Sequence, residues 1–407
     1  MLINDLINLH ESQLTRTINL VASENLLSEN VKKALSSDLA ARYSIPPENE
    51  RPVGIWDYPN QDFIRQITNE TEFLAKKLLH ANYVDVRPLS GNQIAQIILM
   101  SLAASGDNVW SIPSNCGGHF STTVIAAKIG IKLFSIPYDN ELGVIDIEGV
   151  KKLCRQHPPR LIFLDASMQV FPHPLRELRE ALGPEVIIAY DASHTLGLIT
   201  GGAFQNPLEE GADLLSGSTH KTLWGPQKGL IAVRDDGYIA KIINEAVVPF
   251  FVSNVHVHHV AALGVALEES RDFGHAYAKA VIANAKALAC SLHNHGVDVL
   301  FNKYGATESH QILVDLGDKA ESIQVWNRLQ MAGINSNAIT LPFRKSYGLR
   351  LGVAEATRRG LGIHEMSCIG GWMADCIRNS VTVEYLANQV AEMSEQFNFL
   401  HYTHNSS

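Results

Sequence analysis

Cysteine is scarce in this chain of 407 residues, because its five cysteines are widely spread and form no CxxC pair. Neither a disulfide framework nor a thiolate zinc site is therefore indicated. Lysine and arginine form no block and the formal net charge is −9, which speaks against a nucleic-acid partner. No long apolar run is free of charges, and the first residues include acids rather than a basic segment. We therefore expect no membrane span or signal peptide, and a soluble, cytoplasmic protein.

A cluster of histidines is the one feature that suggests a metal. His256, His258 and His259 stand close together in HVHHV. No cysteine and no carboxylate lies beside them at the spacing of metal ligands. We therefore predict that these histidines open a helix and that the protein has no metal site.

Apolar residues make up 46% of the chain, enough for a large core divided between a major and a minor domain. Between residues 84 and 233, short apolar runs alternate with segments of helix length. The runs are VDVRP, NVWSIP, KLFSIP, RLIFLDA, VIIAYD, DLLSG and GLIAVR. Continuous apolar strands are typical of a mostly parallel sheet that is covered on both faces. The pattern therefore predicts an α/β fold.

Three regions follow from this pattern. Residues 1–40 form an N-terminal arm of two amphipathic helices, with Ser23 as the cap of the second helix. Residues 41–270 form the large domain, which begins with an irregular loop at 41–58. Residues 271–407 form a smaller α+β domain with strands at HQILVDL and YGLRLGV, and end in a frayed tail, HYTHNSS.

The stretch LLSGSTHKTLWGPQKG runs from an apolar strand into small residues and then into His220 and Lys221. One strand earlier, VIIAYD ends at Asp191 and is followed by His194. Because ligands of open α/β sheets bind beyond the carboxyl ends of the strands, these side chains should emerge at one edge. A lysine that forms a Schiff base and an aspartate that keeps a pyridine nitrogen protonated suit pyridoxal 5′-phosphate. Taken singly, each residue also fits a role without a ligand: the lysine could be solvated, and the aspartate could cap a helix.

Two further segments suit the same cofactor. LSGNQ, with Ser90, Gly91 and Asn92, would present backbone N–H groups and a hydroxyl to an anion at a helix N-terminus. It matches neither a P-loop nor a dinucleotide fingerprint, so an ordinary capped helix start is its alternative. His119 follows two glycines in NCGGHFS, where the backbone can approach a flat ligand and the imidazole can stack on it. A structural role is the alternative for a lone buried histidine.

These motifs resemble those of the serine hydroxymethyltransferase family. STHKTLWGP resembles the cofactor-lysine motif of that family, and DASHTLGLITGGAFQNPLEEGAD resembles the segment that precedes it. INLVASENLLSENV, RPLSGNQIA, NCGGHFS and LRLGVAEATRRG follow in the family's order, so that the likeness extends over most of the chain. It implies a fold-type-I pyridoxal-phosphate-dependent transferase, aspartate aminotransferase-like in fold. It also implies an amino-acid substrate and a homodimer with shared active sites, with a tetramer left open.

The resemblance also implies roles for single residues. Lys221 holds the cofactor, Asp191 pairs with its ring nitrogen, and His119 stacks on the ring. His194 bonds the ring oxygen or the substrate carboxylate, and Arg350 and Ser23 bind that carboxylate, which suits the guanidinium fork. Glu24 lies near the reacting groups. Further cofactor contacts are implied for Ser90, Gly91, Asn92, Ser167, His220 and Tyr43, and for Ser253 and Asn254, which replace two glycines of a segment donated to the neighbouring subunit.

The chain departs from the family where folate chemistry is concerned. Ile45 stands in place of a loop glutamate, and Pro52 and Val53 in place of paired tyrosines; a separate change, in the cofactor pocket, is Gln227 in place of an arginine. An isoleucine can neither shuttle a proton nor accept a hydrogen bond. We therefore expect aldol-type Cα–Cβ chemistry on glycine, serine or a threonine-like β-hydroxy amino acid, without folate.

Two other functions stay open at this point. One is amino-acid racemisation or epimerisation, which needs only a base on each face of the same carbanion. The other is a non-catalytic paralogue that binds the cofactor as a regulatory or structural partner. The presence of both Lys221 and Asp191 argues against the second, because a silent scaffold has no need of an electron sink.

Overall fold

The structure of the protein is a computed structural model that describes residues 2–44 and 58–404. The chain begins with the N-terminal arm. Its elements, with the helix that follows it, are α1 (Ile3–Leu14), β1 (Ile18–Asn19), α2 (Glu29–Leu35) and α3 (Asp62–Leu79). The two predicted arm helices are present, but the cap assigned to Ser23 is wrong. Ser28 caps α2, because its side chain accepts a hydrogen bond from the backbone of Val31, whereas Ser23 lies in a turn five residues earlier.

Strands and helices alternate through the next region. In chain order the elements are β2 (Tyr83–Asp85), α4 (Gly91–Leu102), β3 (Asn108–Ser111), α5 (Phe120–Ile129), β4 (Lys132–Ser135), β5 (Tyr138–Asp139), β6 (Val144–Ile145), α6 (Ile147–Gln156), β7 (Leu161–Leu164), α7 (Leu175–Leu182), β8 (Ile187–Asp191), α8 (Leu196–Thr200), α9 (Pro207–Glu210), β9 (Leu214–Ser218), β10 (Gly229–Val233) and α10 (Tyr238–Ala246). All seven predicted strands are present.

These seven strands form one sheet in the order β2-β10-β9-β8-β7-β3-β4. β10 runs antiparallel to β2 and β9, and the other four pairs are parallel, so the prediction of a mostly parallel sheet is confirmed. Ile162 and Leu164 of β7 pack in one apolar layer, and Leu161 and Phe163 pack in the layer on the other face. Because both faces are covered, the strands read as continuous apolar runs.

A single helix, α11 (Val257–Asn294), follows this sheet and connects it to the C-terminal region. At 38 residues it is about 57 Å long. The predicted boundary between residues 270 and 271 falls inside it, and the division into domains stays a prediction. Its buried residues pack both below the large sheet and on the C-terminal sheet.

The C-terminal region is the α+β unit that the sequence predicts. Its elements are β11 (Asp298–Val299), β12 (Gln311–Gly317), α12 (Lys319–Met331), β13 (Ile334–Asn335), β14 (Asn337–Thr340), β15 (Tyr347–Gly352), α13 (Ala354–Arg358), α14 (Ile363–Arg378) and α15 (Val383–Gln396). Four of the strands form an antiparallel sheet in the order β11-β12-β15-β14. β1 of the arm pairs in parallel with β13.

Residues 401–404 are held against α11, so the prediction of a frayed tail is wrong for this part of it. The ring of Tyr402 packs edge-on against Tyr277, and Thr403 Oγ1 donates a hydrogen bond to Glu269. A polar segment was taken for a free end because the acceptors on α11 are far away in the sequence. In the part of the chain that the structure describes, no helix is both long and apolar enough to cross a bilayer.

The arm joins the C-terminal region through Asn19, which bonds the exposed Glu24 and the buried Glu355. Asn19 Nδ2 donates hydrogen bonds of 2.8 Å to Glu24 Oε2 and to Glu355 Oε2. Any side chain at Gly352 would strike the arm, because a Cβ there would lie 2.4 Å from the Cα of Ala22. Burial, assisted by the charge of Glu24, raises the pKa of Glu355 to about 7. Glu355 is therefore a protonated acid below neutral pH.

Replacing Glu355 by glutamine should change how stability depends on pH. Because the pKa of Glu355 is higher in the folded than in the unfolded chain, the wild type loses stability as the pH rises from about 4.5 to about 7. The Glu355→Gln variant lacks this loss. Its free energy of unfolding relative to the wild type should rise by roughly 2 to 3 kcal/mol between pH 5 and pH 8, measured by urea denaturation.

The exposed Glu308 offers a matched control. The curve of the Glu308→Gln variant should run parallel to that of the wild type over the same pH range. A Glu355→Gln curve that is equally parallel would show that the acid is not held in its neutral form.

Candidate active site

A cleft of about 400 Å³ opens at the carboxyl ends of the central strands of the large sheet. β8 pairs with β9 so that Asp191 lies opposite Ser216, and the segments after β3, β7, β8 and β9 meet at this edge. The cleft is lined by Gly91, Asn92, Ala95, His119, Ser121, Thr122, Phe163, Asp165, Ala166, Ser167, Asp191, Ser193, His194, Ser218 and Lys221. Seven of the predicted site residues are thus brought together.

Lys221 follows β9 at the floor of the cleft and is half-buried. Burial lowers the pKa of its amine to about 8, an effect that the charge of Arg350 reinforces and that of Asp191 opposes. A substantial fraction of the amine is therefore neutral near pH 8. A neutral amine is the form that attacks a carbonyl carbon.

Asp191 ends β8 beside this lysine. Its Oδ1 accepts a hydrogen bond of 2.7 Å from the backbone N–H of Ser193. Its negative charge raises the pKa of both Lys221 and His119 against the effect of burial. The carboxylate therefore acts electrostatically on the floor of the cleft, where it suits a cationic ring nitrogen.

His119 has a structural role that the sequence did not reveal. It caps α5, because its Nδ1 accepts a hydrogen bond of 3.3 Å from the backbone N–H of Ser121 and lies 2.6 Å from the hydroxyl of the same residue. Burial lowers the pKa of His119. With Nδ1 as the acceptor, the neutral ring carries its proton on Nε2.

His194 is buried at the opposite wall. Its Nδ1 lies 3.0 Å from the side-chain nitrogen of Gln311, and its ring stacks on His310 with 5.7 Å between the ring centroids. Burial, with the charges of Lys221 and Arg350, lowers the pKa of His194 well below its usual value. Gln311, the first residue of β12, was not predicted as part of the site.

Asp165 is a second acid at the floor of the cleft, and it was also missed. It follows β7 as Asp191 ends β8, on the neighbouring strand. Burial raises the pKa of Asp165 to about 7, although the hydroxyl of Thr122 donates a hydrogen bond to it. The signal was present in RLIFLDA, which places an acid directly after an apolar strand just as VIIAYD does.

Arg350 extends from β15 toward the mouth of the cleft. Leu349 and Leu351 on either side of it are buried in the core, whereas its Nη1 donates a hydrogen bond of 3.3 Å to the backbone oxygen of Ser167. Its Nη2 donates a bond of 3.0 Å to Asn337, and its buried Nε has no partner among the described residues. A guanidinium with spare donors beside Ser167 suits a carboxylate.

The N-terminus of α4 forms the end of the cleft that suits a phosphate. Ser90 caps the helix through a 3.2 Å bond from Gln93, and Gly91 and Asn92 line the cleft. A Cβ at Gly91 would lie 2.1 Å from the hydroxyl oxygen of Ser218, so a larger residue would have to displace that side chain. Free backbone N–H groups at a helix N-terminus attract anions.

The remaining predicted residues do not line the cleft in a single chain. Tyr43 stacks on Tyr58 at the surface, with 5.5 Å between the ring centroids. Ser23 and Glu24 lie in the turn of the arm, His220 points Nδ1 into the interior without a partner among the described residues, and Ser253 and Asn254 precede α11. Ile45, Pro52 and Val53 lie outside the described residues. The roles of all these residues stay predictions.

Within residues 2–44 and 58–404, no group of three or more histidine, cysteine, aspartate or glutamate side chains is placed to hold a metal ion. The cleft instead fits pyridoxal 5′-phosphate. Lys221 offers a partly neutral amine, Asp191 a carboxylate, and α4 an anion-binding terminus that is open because residue 91 is glycine.

Comparison with known proteins supports the same assignment. The family model for serine hydroxymethyltransferase matches residues 2–373. Serine hydroxymethyltransferases of Archaeoglobus fulgidus and Methanothermobacter marburgensis are each 38% identical to this chain; the matches cover 98% and 100% of the chain, and 91% and 96% of those relatives. The crystal structure of L-threonine transaldolase from Pseudomonas fluorescens, in its internal aldimine state, superposes with a TM-score of 0.94 at 31% identity and covers 98% of this chain and 92% of that one.

The predicted fold type and cofactor are thereby confirmed. The protein is an enzyme that depends on pyridoxal 5′-phosphate and carries out chemistry of the aldolase and transferase type. Because the family model spans nine-tenths of the sequence and the relatives align almost from end to end, the chain belongs to the serine hydroxymethyltransferase family.

Proposed function

We propose that this enzyme makes and breaks the Cα–Cβ bond of glycine, serine or a threonine-like β-hydroxy amino acid without tetrahydrofolate. The observation that carries this proposal is Ile45, an apolar residue at the position where the resemblance to the family implies a loop glutamate, in a chain that keeps Lys221 and Asp191. The similarity to an L-threonine transaldolase supports it. Pro52 and Val53, in place of two tyrosines, point the same way.

Different residues of the cleft have different roles in such a reaction. When bound, pyridoxal 5′-phosphate supplies an electron sink for a carbanion at Cα. Lys221 offers an amine whose pKa of about 8 lets it gain or release a proton at neutral pH. Asp191 supplies fixed negative charge, and Arg350 holds the substrate carboxylate, which decides the Cα bond that is broken. The imidazole of His119 forms the wall of the cleft on which the flat ring of the cofactor would stack.

Racemisation is less well supported by this geometry. It needs a proton acceptor on each side of Cα. In both His119 and His194, Nδ1 is taken up by a neighbouring donor, so that the neutral ring has its proton on Nε2. Neither histidine therefore offers an acceptor, and the other acceptors among the described residues that line the cleft, Lys221, Asp165 and Asp191, lie together at its floor. We therefore favour cleavage of the Cα–Cβ bond.

We further propose that the enzyme acts as a homodimer with shared sites. α1 buries no residue in its own chain and exposes Leu2, Ile3 and Leu6. Apolar faces of this kind are usually covered by another surface. Tyr43 and the Ser253–Asn254 segment, which do not line the cleft of their own chain, would then contribute to the neighbouring one. Light scattering of the purified enzyme measures the oligomer directly.

A panel of amino acids tests the reaction. Glycine, serine, threonine and alanine are added to the holoenzyme in deuterated water, with and without tetrahydrofolate. Exchange at Cα, release of an aldehyde and optical inversion are then followed. We expect aldehyde release from a β-hydroxy amino acid without tetrahydrofolate. Serine turnover that is fast only with tetrahydrofolate would contradict the proposal, and inversion without aldehyde would favour racemisation.

Replacing Arg350 by methionine should weaken the binding of every amino acid tested. The lost charged hydrogen bonds to the carboxylate should raise KM about 100-fold, equivalent to about 3 kcal/mol. Steady-state kinetics with the best substrate of the panel measures this change. Arg344 is a matched control, because it is exposed and bonded to Asp298 and Asp315 away from the cleft. An Arg344→Met variant with an equal rise in KM would contradict the assignment.

A further inference from the structure

Gln311 uses every hydrogen-bonding group of its side-chain amide beside the cleft. Its Oε1 accepts a bond of 2.8 Å from the backbone N–H of Gln169. Its Nε2 lies 3.0 Å from the backbone oxygen of Ser167 and 3.0 Å from Nδ1 of His194. The side chain is fully buried, so no water competes for these groups.

These partners determine which end of the Gln311 side chain is the amide oxygen and which is the NH₂ group. A backbone N–H can only donate, so the atom that faces Gln169 must be the amide oxygen. A backbone carbonyl can only accept, so the atom that faces Ser167 must be the NH₂ group. The second hydrogen of that group then points at Nδ1 of His194. Nδ1 must present a lone pair, which leaves the only ring proton of His194 on Nε2.

The surroundings of His194 exclude its cationic form as well. An imidazolium would place a second N–H at Nδ1, directly against the NH₂ group of Gln311. The charged and titratable groups that face His194 are Lys221, Arg350, His310 and His119, and each of them disfavours a further positive charge. His310 is itself held as a donor to the backbone oxygen of Ala22 at 3.1 Å.

We propose that Gln311 is a positioning residue that locks His194 as the neutral Nε2–H tautomer, so that His194 offers a permanent hydrogen-bond donor, and never a base, to an anionic oxygen in the cleft. Nε2 is the ring atom opposite Gln311, and it has no partner among the described residues. The oxygen belongs either to the cofactor ring or to the carboxylate of the substrate. This inference rests on the proposed function in that it takes the cleft as the site of both.

The same glutamine connects His194 to the arginine of the site. Ser167 O accepts from Gln311 and also from Nη1 of Arg350. The Nε2–H group of His194 and the guanidinium of Arg350 are therefore both positioned relative to the backbone oxygen of Ser167. A change at Gln311 should therefore alter the orientation of substrate and the state of His194 together, while the lysine and the aspartate stay in place.

Nitrogen NMR of the enzyme with ¹⁵N-labelled histidine rings tests the lock directly. The resonances of His194 are assigned by their absence in a His194→Asn variant. In the wild type, with and without cofactor, Nδ1 should be unprotonated and Nε2 protonated from pH 5.5 to pH 9. A protonated Nδ1, or a ring that titrates in this range, would overturn the proposal, and this measurement needs no substitution at Gln311.

Two variants separate positioning from packing. Gln311→Glu places a carboxylate at Nδ1, so the proton of His194 should move to Nδ1, and kcat/KM should fall about 10- to 100-fold and acquire a new pH inflection. Gln205→Met is the matched control, a buried glutamine that bonds Tyr190 and His173 instead. It should lower stability but leave the tautomer and the pH profile unchanged. A Gln311→Glu variant with the wild-type tautomer would overturn the proposal.

The source of the anionic oxygen is read from the Nε2–H resonance. A shift on adding pyridoxal 5′-phosphate alone indicates the ring oxygen, and a shift that appears only with glycine indicates the substrate carboxylate. No shift with either would overturn the donor role. Because the tautomer is measured in the enzyme without cofactor as well, an enzyme that shows the lock but cleaves no amino acid would refute the proposed function and not this inference.

Discussion

Replacing Lys221 by alanine is expected to abolish the visible absorption band of the bound cofactor and to lower kcat/KM by at least about 10³-fold. We propose that this amine is the nucleophile that holds the cofactor, and its lowered pKa suits it to carry a proton in the cleft. No other lysine lines the cleft among the described residues. The absorption spectrum and the kinetics with the best substrate of the panel measure both effects.

Lys228 is a demanding control for this prediction. It too is a buried lysine, and burial lowers the pKa of its amine to about 7. Its Nζ, however, donates a hydrogen bond of 3.0 Å to the backbone oxygen of Val255, away from the cleft. The Lys228→Met variant should keep the absorption band. Loss of the band in this variant, or its survival in Lys221→Ala, would show that the wrong lysine has been assigned.

Replacing Asp191 by asparagine should lower kcat/KM about 10²- to 10³-fold with little change in stability. Asparagine is nearly isosteric and can still accept the hydrogen bond from Ser193, so the change removes mainly the negative charge. Without this charge the ring nitrogen of the cofactor is no longer held in its cationic form, and the electron sink weakens. Thermal unfolding, measured beside the kinetics, separates the loss of charge from the loss of fold.

Asp165 provides the comparison, because it lies on the neighbouring strand of the same cleft. At pH 6, below its raised pKa of about 7, Asp165 is already largely neutral. The Asp165→Asn variant should therefore stay within about tenfold of the wild type at that pH. Equal losses in the two variants would mean that the charge of Asp191 is not what the reaction uses.

The large domain was predictable because its strands are short apolar runs with both faces covered. Each run can be read locally, and parallel pairing then brings the ends of neighbouring strands to one edge. Asp191, Lys221, His119 and His194 were for this reason predicted together, and they line one cleft. Arg350 was harder to place, since alternation alone leaves open which face of β15 it takes.

Other features depend on contacts between distant segments. Gln311 lies 117 residues from His194, and Thr403 lies 134 residues from its partner Glu269. Nothing in the local pattern of either segment indicates its partner. Ser23 was predicted as a cap, yet it lies in a turn and no helix begins until Glu29, after Ser28. The predicted roles of Tyr43, Ser253 and Asn254 depend on the proposed dimer.

Chemical trapping of the cofactor tests the assignment of the site most directly. The yellow holoenzyme is reduced with borohydride and digested, and the modified peptide is identified by mass spectrometry. The cofactor should be found attached to Lys221, within the peptide that contains STHKTLWGP, in near-stoichiometric yield. Attachment at Lys228, or a protein that takes up no cofactor to be reduced, would contradict it.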